Sequence, residues 1–315
     1  MRFWTVIPLY FDVDPFLRLR TEVIEALRRS GADAGNVRFV VVDDSAGADP
    51  EIARLHRETD VQVVVPPFNL GHQRALVHGL RSIETLVRDE DVVVTMDGDG
   101  EDRPADLPLL LKPLLDNPRD QQRLVVARRT TRKVSLAFRV MYFFFSVMFR
   151  VLTGIIVRSG NFAAYRGWAV RNVLRHPNFD LCYSAGLLSV RLRIDFVPCP
   201  RGTRYAGRSK MGFEKLIRHG TAMLMPFLDR IAVRALIASS AVFVLAIATA
   251  AVLFVQLSRA AVVQSWVIPA LLVLGLTCFV ALGNFVILFA VYAQSQGAAL
   301  RNLETWLPAS PTKRG

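Results

Sequence analysis

The stretch Asp91-Val-Val-Val-Thr-Met-Asp-Gly-Asp-Gly-Glu-Asp102 (DVVVTMDGDGED, 91–102) decides the fold. Its first half is a continuous apolar run of strand formers, the pattern of a strand buried on both faces. Its second half brings four carboxylates, Asp97, Asp99, Glu101 and Asp102, into six residues. Charges this close repel one another unless a cation neutralises them, and an all-oxygen donor set suits Mg²⁺ or Mn²⁺. Gly98 and Gly100 let a ligand approach the backbone. A solvated acidic turn would have the same composition. An EF-hand does not fit, because its ligand spacing and terminal Glu are missing.

Working outward, the same texture repeats. FWTVIPL (3–9), VRFVVVDD (37–44), VQVVVPP (61–67) and RLVVARR (123–129) read as strands. Helical spacing fills 15–30, a stretch ending near Thr59, 71–87 and 105–116. Apolar strands alternating with helices predict an α/β fold whose mostly parallel sheet is covered on both faces. VVVDD and VVVTMDGDGED both end such strands, at the edge where open α/β sheets bind ligands. Asp43 and Asp44 suit either a nucleotide's ribose or base, or the cap of the next helix. The turn Asn69-Leu70-Gly71-His72-Gln73 opens a helix whose N-terminus favours anions. His72 reads as a general base or simply as a polar helix start.

Charge divides the chain. Residues 1–131 hold 17 basic and 22 acidic residues, whereas 132–230 hold 17 and 4. The net charge of +12 therefore originates in the middle segment. There the basic residues interleave with apolar runs, which favours anionic lipid over nucleic acid as the partner. The stretch 134–154 is apolar but contains Arg139 and Arg150. Its uninterrupted core, 140–149, is about half of the ~20 residues a membrane span needs, so it predicts an interfacial amphipathic helix. Residues 210–230 read as a second one, juxtamembrane. Two longer runs, 232–257 and 266–293, predict transmembrane helices. Basic flanks place both termini in the cytoplasm. The N-terminal apolar run is too short for a signal peptide, so the catalytic part is expected to be cytoplasmic too. Cys182, Cys199 and Cys278 are isolated, without disulfide or metal spacing, as expected in a reducing compartment. The expected division is 1–130, 131–230, 231–296 and 297–315. Just before the first span lies Arg201-Gly-Thr-Arg204-Tyr-Ala-Gly-Arg208-Ser209-Lys210, which suits a phosphate at the bilayer surface or a solvated basic loop. Arg128, Arg129, Arg132 and Lys133 form a comparable cluster.

Six motifs in order now carry a resemblance: VIPLYFD (6–12), VVDDS (41–45), NLGHQRALVHGL (69–80), MDGDGEDRP (96–104), GNFAAYRG (160–167) and RYAGRSKMGFEKL (204–216). Over about 4–230 the chain resembles the family-2 glycosyltransferases. It looks most like the branch that makes polyprenyl-phosphate sugars, which includes dolichyl-phosphate mannose synthase and bacterial bactoprenol glucosyltransferases. The resemblance implies a GT-A, Rossmann-like fold and a metal-dependent, inverting hexosyltransferase of a bacterial-type inner (plasma) membrane, building a cell-envelope glycan. It implies that Pro8, Tyr10 and Asp12 line the nucleotide pocket and that Asp44 contacts the base. Asp97 and Asp99 would bind Mg²⁺ or Mn²⁺ and the donor diphosphate, with Glu101 as a further ligand. Arg128, Arg204, Ser209 and Lys210 would face the lipid phosphate, and Asp99 and Asn161 the reacting centre. The family's usual Asn-Glu is here Phe11-Asp12, and the Asp of its Gly-Asp-Phe motif is Asn161. A phosphate nucleophile needs no deprotonation, since it already carries about −1.5 to −2 charge at pH 7. The expected partners are a UDP- or GDP-sugar, polyprenyl phosphate and the membrane, with homo-oligomerisation left open. Two further readings remain: another lipid acceptor, and a nucleotide-sugar-binding scaffold without turnover. The Gln/Arg-x-x-Arg-Trp signature of processive polysaccharide synthases is absent.

Overall fold

The five expected strands form, and two more join them. A computed structural model of the chain describes residues 1–31, 33–130, 136–156, 159–190, 192–206, 213–259 and 266–306. The strands are β1 (Phe3–Leu9), β2 (Val37–Asp43), β3 (Val61–Val64), β4 (Val92–Thr95), β5 (Arg123–Arg129), β6 (Ser159–Arg166) and β7 (Arg193–Cys199). The helices are α1 (Val13–Arg29), α2 (His72–Ser82), α3 (Leu107–Leu115), α4 (Leu136–Thr153), α5 (Gly167–Asn172), α6 (Asn178–Leu181), α7 (Tyr183–Ser189), α8 (Phe213–Leu224), α9 (Leu228–Arg259) and α10 (Val267–Trp306).

The strands make one sheet in the order β3-β2-β1-β4-β6-β5-β7. It is not wholly parallel. β6 runs antiparallel to both β4 and β5, and β7 returns parallel to β5. Inserting one reversed strand leaves the carboxyl ends of β1–β5 and β7 at the same edge, together with the amino end of β6. The stretch ending near Thr59 is a 3₁₀ turn, Pro50–Arg57, capped by Asp49, whose Oδ1 accepts from the Glu51 amide at 3.0 Å. The helix expected over 71–87 ends at Ser82.

Alternation along β1 splits the core into two layers. Phe3, Ile7 and Leu9 pack with Phe16, Leu19 and Val23 of α1 and with Leu110 and Leu114 of α3. Trp4 and Val6 pack with Leu76 and Leu80 of α2 and with Tyr165 and Tyr183. Each such fully buried side chain stabilises the fold by about 1.5–3 kcal/mol. Helix α2 sits close to the sheet because position 79 is glycine: a Cβ there would lie 2.6 Å from Val42 Cγ2 and 2.8 Å from Val6 Cγ1.

The chain divides into two compact units, Met1–Phe149 with Ile155–Pro226, and Arg150–Gly154 with Phe227–Gly315. The first contains the sheet. In it, α4 buries Phe149 but exposes Phe143 and Phe144 at 62% and 65%. In the second unit α9 packs on α10, and Arg234 Nη1 donates to the Val151 carbonyl at 2.6 Å. The stretches Leu216–Val255 and Val267–Ile287 are long and apolar enough to cross a membrane. Only 6% and 0% of their most apolar windows are buried within the protein, unlike core helices of a soluble domain.

Candidate active site

The sheet topology assembles the site. Parallel pairing of β1 with β2 and β4 brings Asp44 and Asp97 to one edge, each just past its strand end. Antiparallel pairing sets Ala163 of β6 opposite Thr95 of β4, so Asn161, two residues earlier, lies beside Asp97. The Thr95 hydroxyl fixes this register by donating to the Asn161 carbonyl at 2.6 Å, and the Tyr183 hydroxyl lies 2.8 Å from it. Parallel pairing of β5 with β7 places Arg129 opposite Cys199, so the segment after β7 emerges at the same edge.

Asp97 stands at the centre. Its Oδ1 lies 2.9 Å from His72 Nε2 and 3.3 Å from Asn161 Nδ2. Its Oδ2 faces Arg129 Nη2 at 3.6 Å, and that guanidinium also reaches Asp102 Oδ1 at 3.3 Å. Asp102 Oδ2 accepts from the Asp97 amide at 3.0 Å, which curls the acidic loop back on itself. Asp99 Oδ2 pairs with Arg204 Nη2 at 2.8 Å. Glu101 Oε2 takes Arg201 Nη2 as well as Arg204 Nη2, the latter at 3.4 Å.

The charges split the carboxylates apart. Burial pushes Asp97 up, but the His72 ring, Arg129 and the Asn161 amide outweigh it and hold Asp97 below the usual carboxylate range. Burial, then the Asp97 charge, push Asp102 up to about 7. Burial and Asp97 raise Asp99 as well, against Arg204 and Arg201. His72 is desolvated, yet the Asp97 charge keeps it above its ordinary value.

Amide orientations follow from one backbone donor. The Ser184 amide donates to Gln73 Oε1 at 2.9 Å, so Gln73 Nε2 must face Asn161 Oδ1, 2.5 Å away. Asn161 Nδ2 then faces His72 Nε2 at 2.6 Å as well as Asp97. His72 Nε2 can donate to Asp97 or accept from Asn161, not both, and its raised pKa favours the donation.

The expected residues are thus partly brought together. Asp97, Asp99, Glu101, Asn161 and Arg204 form one cluster. Pro8 is buried in β1, with its carbonyl beneath the acidic loop, 3.7 Å from where a Gly98 Cβ would stand. Tyr10 is exposed and packs edge-on against Phe11, whose φ is 56°. Asp12 occupies the N-cap position of α1. Asp44 is buried, and its Oδ1 accepts from the Leu70 and Gly71 amides at 2.7 and 3.2 Å, tying the 69–71 turn to β2. Arg128 is exposed, and its neighbour Arg129 is the cation that meets the cluster. Ser209 and Lys210 lie outside the described residues, as do Arg132 and Lys133. Arg201, Asp102 and Gln73 enter the site without having been singled out individually, although each stood inside a quoted motif.

Asp97, Asp99 and Glu101 each offer an oxygen, and the three lie within 4.8 Å of one another. Opposite ligands of octahedral Mg²⁺ stand about 4.2 Å apart, so small side-chain rotations would let the trio hold such an ion. The donors are all hard oxygens, as Mg²⁺ and Mn²⁺ require.

A mostly parallel, seven-stranded sheet with an acidic loop past its fourth strand is a GT-A-like fold. Residues 6–174 match the model of the family described as Glycosyl transferase family 2. The chain belongs to that family and is a glycosyltransferase by descent. Distantly similar solved structures include S. aureus TarS 1-349 in complex with UDP-GlcNAc, at 14% identity over 75% of this chain and 67% of that one, TM-score 0.41. Another structure of S. aureus TarS 1-349 matches at 12% identity over 75% of this chain, TM-score 0.38, and the chain spans 65% of its length. Francisella tularensis 2-C-methyl-D-erythritol 4-phosphate cytidylyltransferase matches at 11% over 70% of this chain and 100% of that one, TM-score 0.35. A comparison with curated proteins gives no match.

Proposed function

We propose that the protein transfers one sugar from a UDP- or GDP-sugar to a membrane polyprenyl phosphate. The observation that carries this reading is the meeting of two opposite surfaces at one sheet edge: carboxylates Asp97, Asp99 and Glu101 against guanidiniums Arg129, Arg201 and Arg204. A carboxylate trio suits the metal of a nucleotide diphosphate, and a guanidinium trio suits a second phosphate.

In this reading Asp97, Asp99 and Glu101 hold Mg²⁺ or Mn²⁺, which when bound neutralises charge on the departing diphosphate. Pro8, Tyr10, Asp12 and the buried Asp44 frame the nucleotide. The guanidiniums orient the acceptor phosphate, with Arg128, Ser209 and Lys210 assigned to it by the resemblance. One phosphate oxygen attacks the anomeric carbon, the bond from that carbon to the diphosphate oxygen breaks, and the nucleoside diphosphate leaves with the electron pair. The configuration inverts. No proton moves, so Asn161 serves without being a base. It orients Asp97, and catalysis is positioning and electrostatics. Residues 1–130 form the donor part, 131–230 the acceptor part with its interfacial helices, and 231–296 the two spans. The catalytic part and both termini, including the 297–315 tail, face the cytoplasm of a bacterial-type inner membrane.

The test is direct. Purified full-length protein is given Mg²⁺ or Mn²⁺, polyprenyl phosphate and a panel of nucleotide-sugars, and the lipids are read by mass spectrometry. One polyprenyl-phosphate-sugar is expected. No glycolipid from any donor sinks the reading, and transfer only to diacylglycerol or a lipid-linked glycan replaces the acceptor.

A further inference from the structure

Residues 201–205 lie outside the sheet, yet they meet the acidic loop in register. The Gly202 amide donates to the Glu101 carbonyl at 2.8 Å and the Tyr205 amide to the Asp99 carbonyl at 2.9 Å. Between these two bonds Arg204 reaches Asp99, and Arg201 reaches Glu101. Something must hold this strap in place, because two backbone bonds at a partly solvated edge contribute little net stability against competing water.

Tyr205 supplies that hold from three sides. Its ring lies directly over Gly100: a Cβ at that residue would stand 2.5 Å from Tyr205 Cζ and 2.6 Å from Cε2. Gly100 also has φ of +85°, which disfavours any side chain there. The Arg18 guanidinium also stacks on the ring, 4.1 Å from its centroid. At the tip the Tyr205 hydroxyl donates to Glu22 Oε2 at 2.5 Å, and Glu22 Oε1 in turn accepts from Arg18 Nε at 3.0 Å. A tyrosine on the strap is thereby seated between the acidic loop and α1.

We propose that Tyr205 is a positioning residue that clasps the strap 201–205 onto the acidic loop, so that Arg201 and Arg204 compete with a divalent cation for Asp99 and Glu101. The cation half rests on the proposed reading of Asp97, Asp99 and Glu101 as metal ligands. The clasp rests on contacts alone. Its consequence is a defined sign. Loosening the clasp frees carboxylate oxygens and tightens metal binding, whereas a residue that merely supported the fold would weaken binding or leave it unchanged.

The experiment uses the full-length protein and two variants that cut the same bond from opposite ends, Tyr205→Phe and Glu22→Ala. Backbone hydrogen exchange is followed at Gly202 and Tyr205, and Mn²⁺ alone is titrated calorimetrically. In both variants exchange at those amides speeds up and the Mn²⁺ dissociation constant falls, each by about threefold to tenfold. Arg204→Gln lowers the dissociation constant similarly, and combining it with Tyr205→Phe adds little. Unchanged exchange in both variants overturns the clasp. Faster exchange with unchanged or weaker Mn²⁺ binding overturns the competition. Absence of Mn²⁺ binding in the wild type and every variant overturns the competition together with the metal assignment, and the exchange data then decide the clasp alone.

Discussion

Asn161 Nδ2 lies 3.3 Å from Asp97 Oδ1, and Gln73 fixes that orientation by donating to Asn161 Oδ1. The amide thus presents a donor to the most crowded carboxylate of the site. Asn161→Asp replaces that donor with a second negative charge. Sugar transfer is expected to fall about tenfold or more, as when a hydrogen-bond donor is removed from a preorganised charge site. Initial rates measured beside the wild type check this. A faster variant would show that a base is wanted at this position.

Asp99 faces Arg204, and burial and Asp97 raise its pKa, so its charge costs stability as it stands. Asp99→Asn keeps the shape and removes the charge. Transfer should drop about a hundredfold or more, while the thermal midpoint changes little. Calorimetry alongside the mass-spectrometric assay separates a lost site from a lost fold.

Gly79→Ala tests how the sheet seats α2. The added methyl group meets Val42 and Val6 at 2.6 and 2.8 Å. Overpacking costs about 1–3 kcal/mol, more than the ~1 kcal/mol that alanine gains in helix propensity. A lower denaturation midpoint is expected. Because α2 begins with His72 and Gln73, a weaker apparent affinity for Mn²⁺ should accompany it.

Cys182 and Cys199 are buried, and burial raises both thiols, with Asp106 and Asp102 helping to push Cys199 up to about 12. Thiolate is the reactive form, and at pH 8 almost none forms on either residue. Iodoacetamide should leave both unlabelled in the native protein and modify both after denaturation. Peptide mass spectrometry reads this site by site.

The sheet was legible wherever burial on both faces wrote a continuous apolar run, as in β1, β2, β4 and β5. It was not legible in β6, where SGNFAAYR mixes small and polar residues, because its partners β4 and β5 lie far away in sequence. β7, as RIDFVPC, alternates like a half-covered edge strand, and its partner β5 likewise lies far away in sequence. The acidic loop could be read from charge density alone. The cation that meets it could not. Arg128 and Arg129 are adjacent, and strand alternation sends them to opposite faces, but the register shift between Val126 and Arg128 sets which one turns inward. Likewise Arg201 looked like part of a diffuse basic stretch until β7 delivered it onto Glu101.

The strap also dates the site. Arg204 lies 103 residues after Glu101, and the strap that carries it comes after the other described segments that meet the acidic loop. A ribosome that has released everything through β6 has produced a chain whose four clustered carboxylates have just His72 and Arg129 as cationic partners among the described residues. Arg201 and Arg204 arrive with the few residues beyond β7, ahead of the two helices long and apolar enough to cross a membrane. The acidic cluster therefore gains these two guanidiniums shortly before the long apolar helices are made, and a truncated chain ending before residue 201 should be born without them.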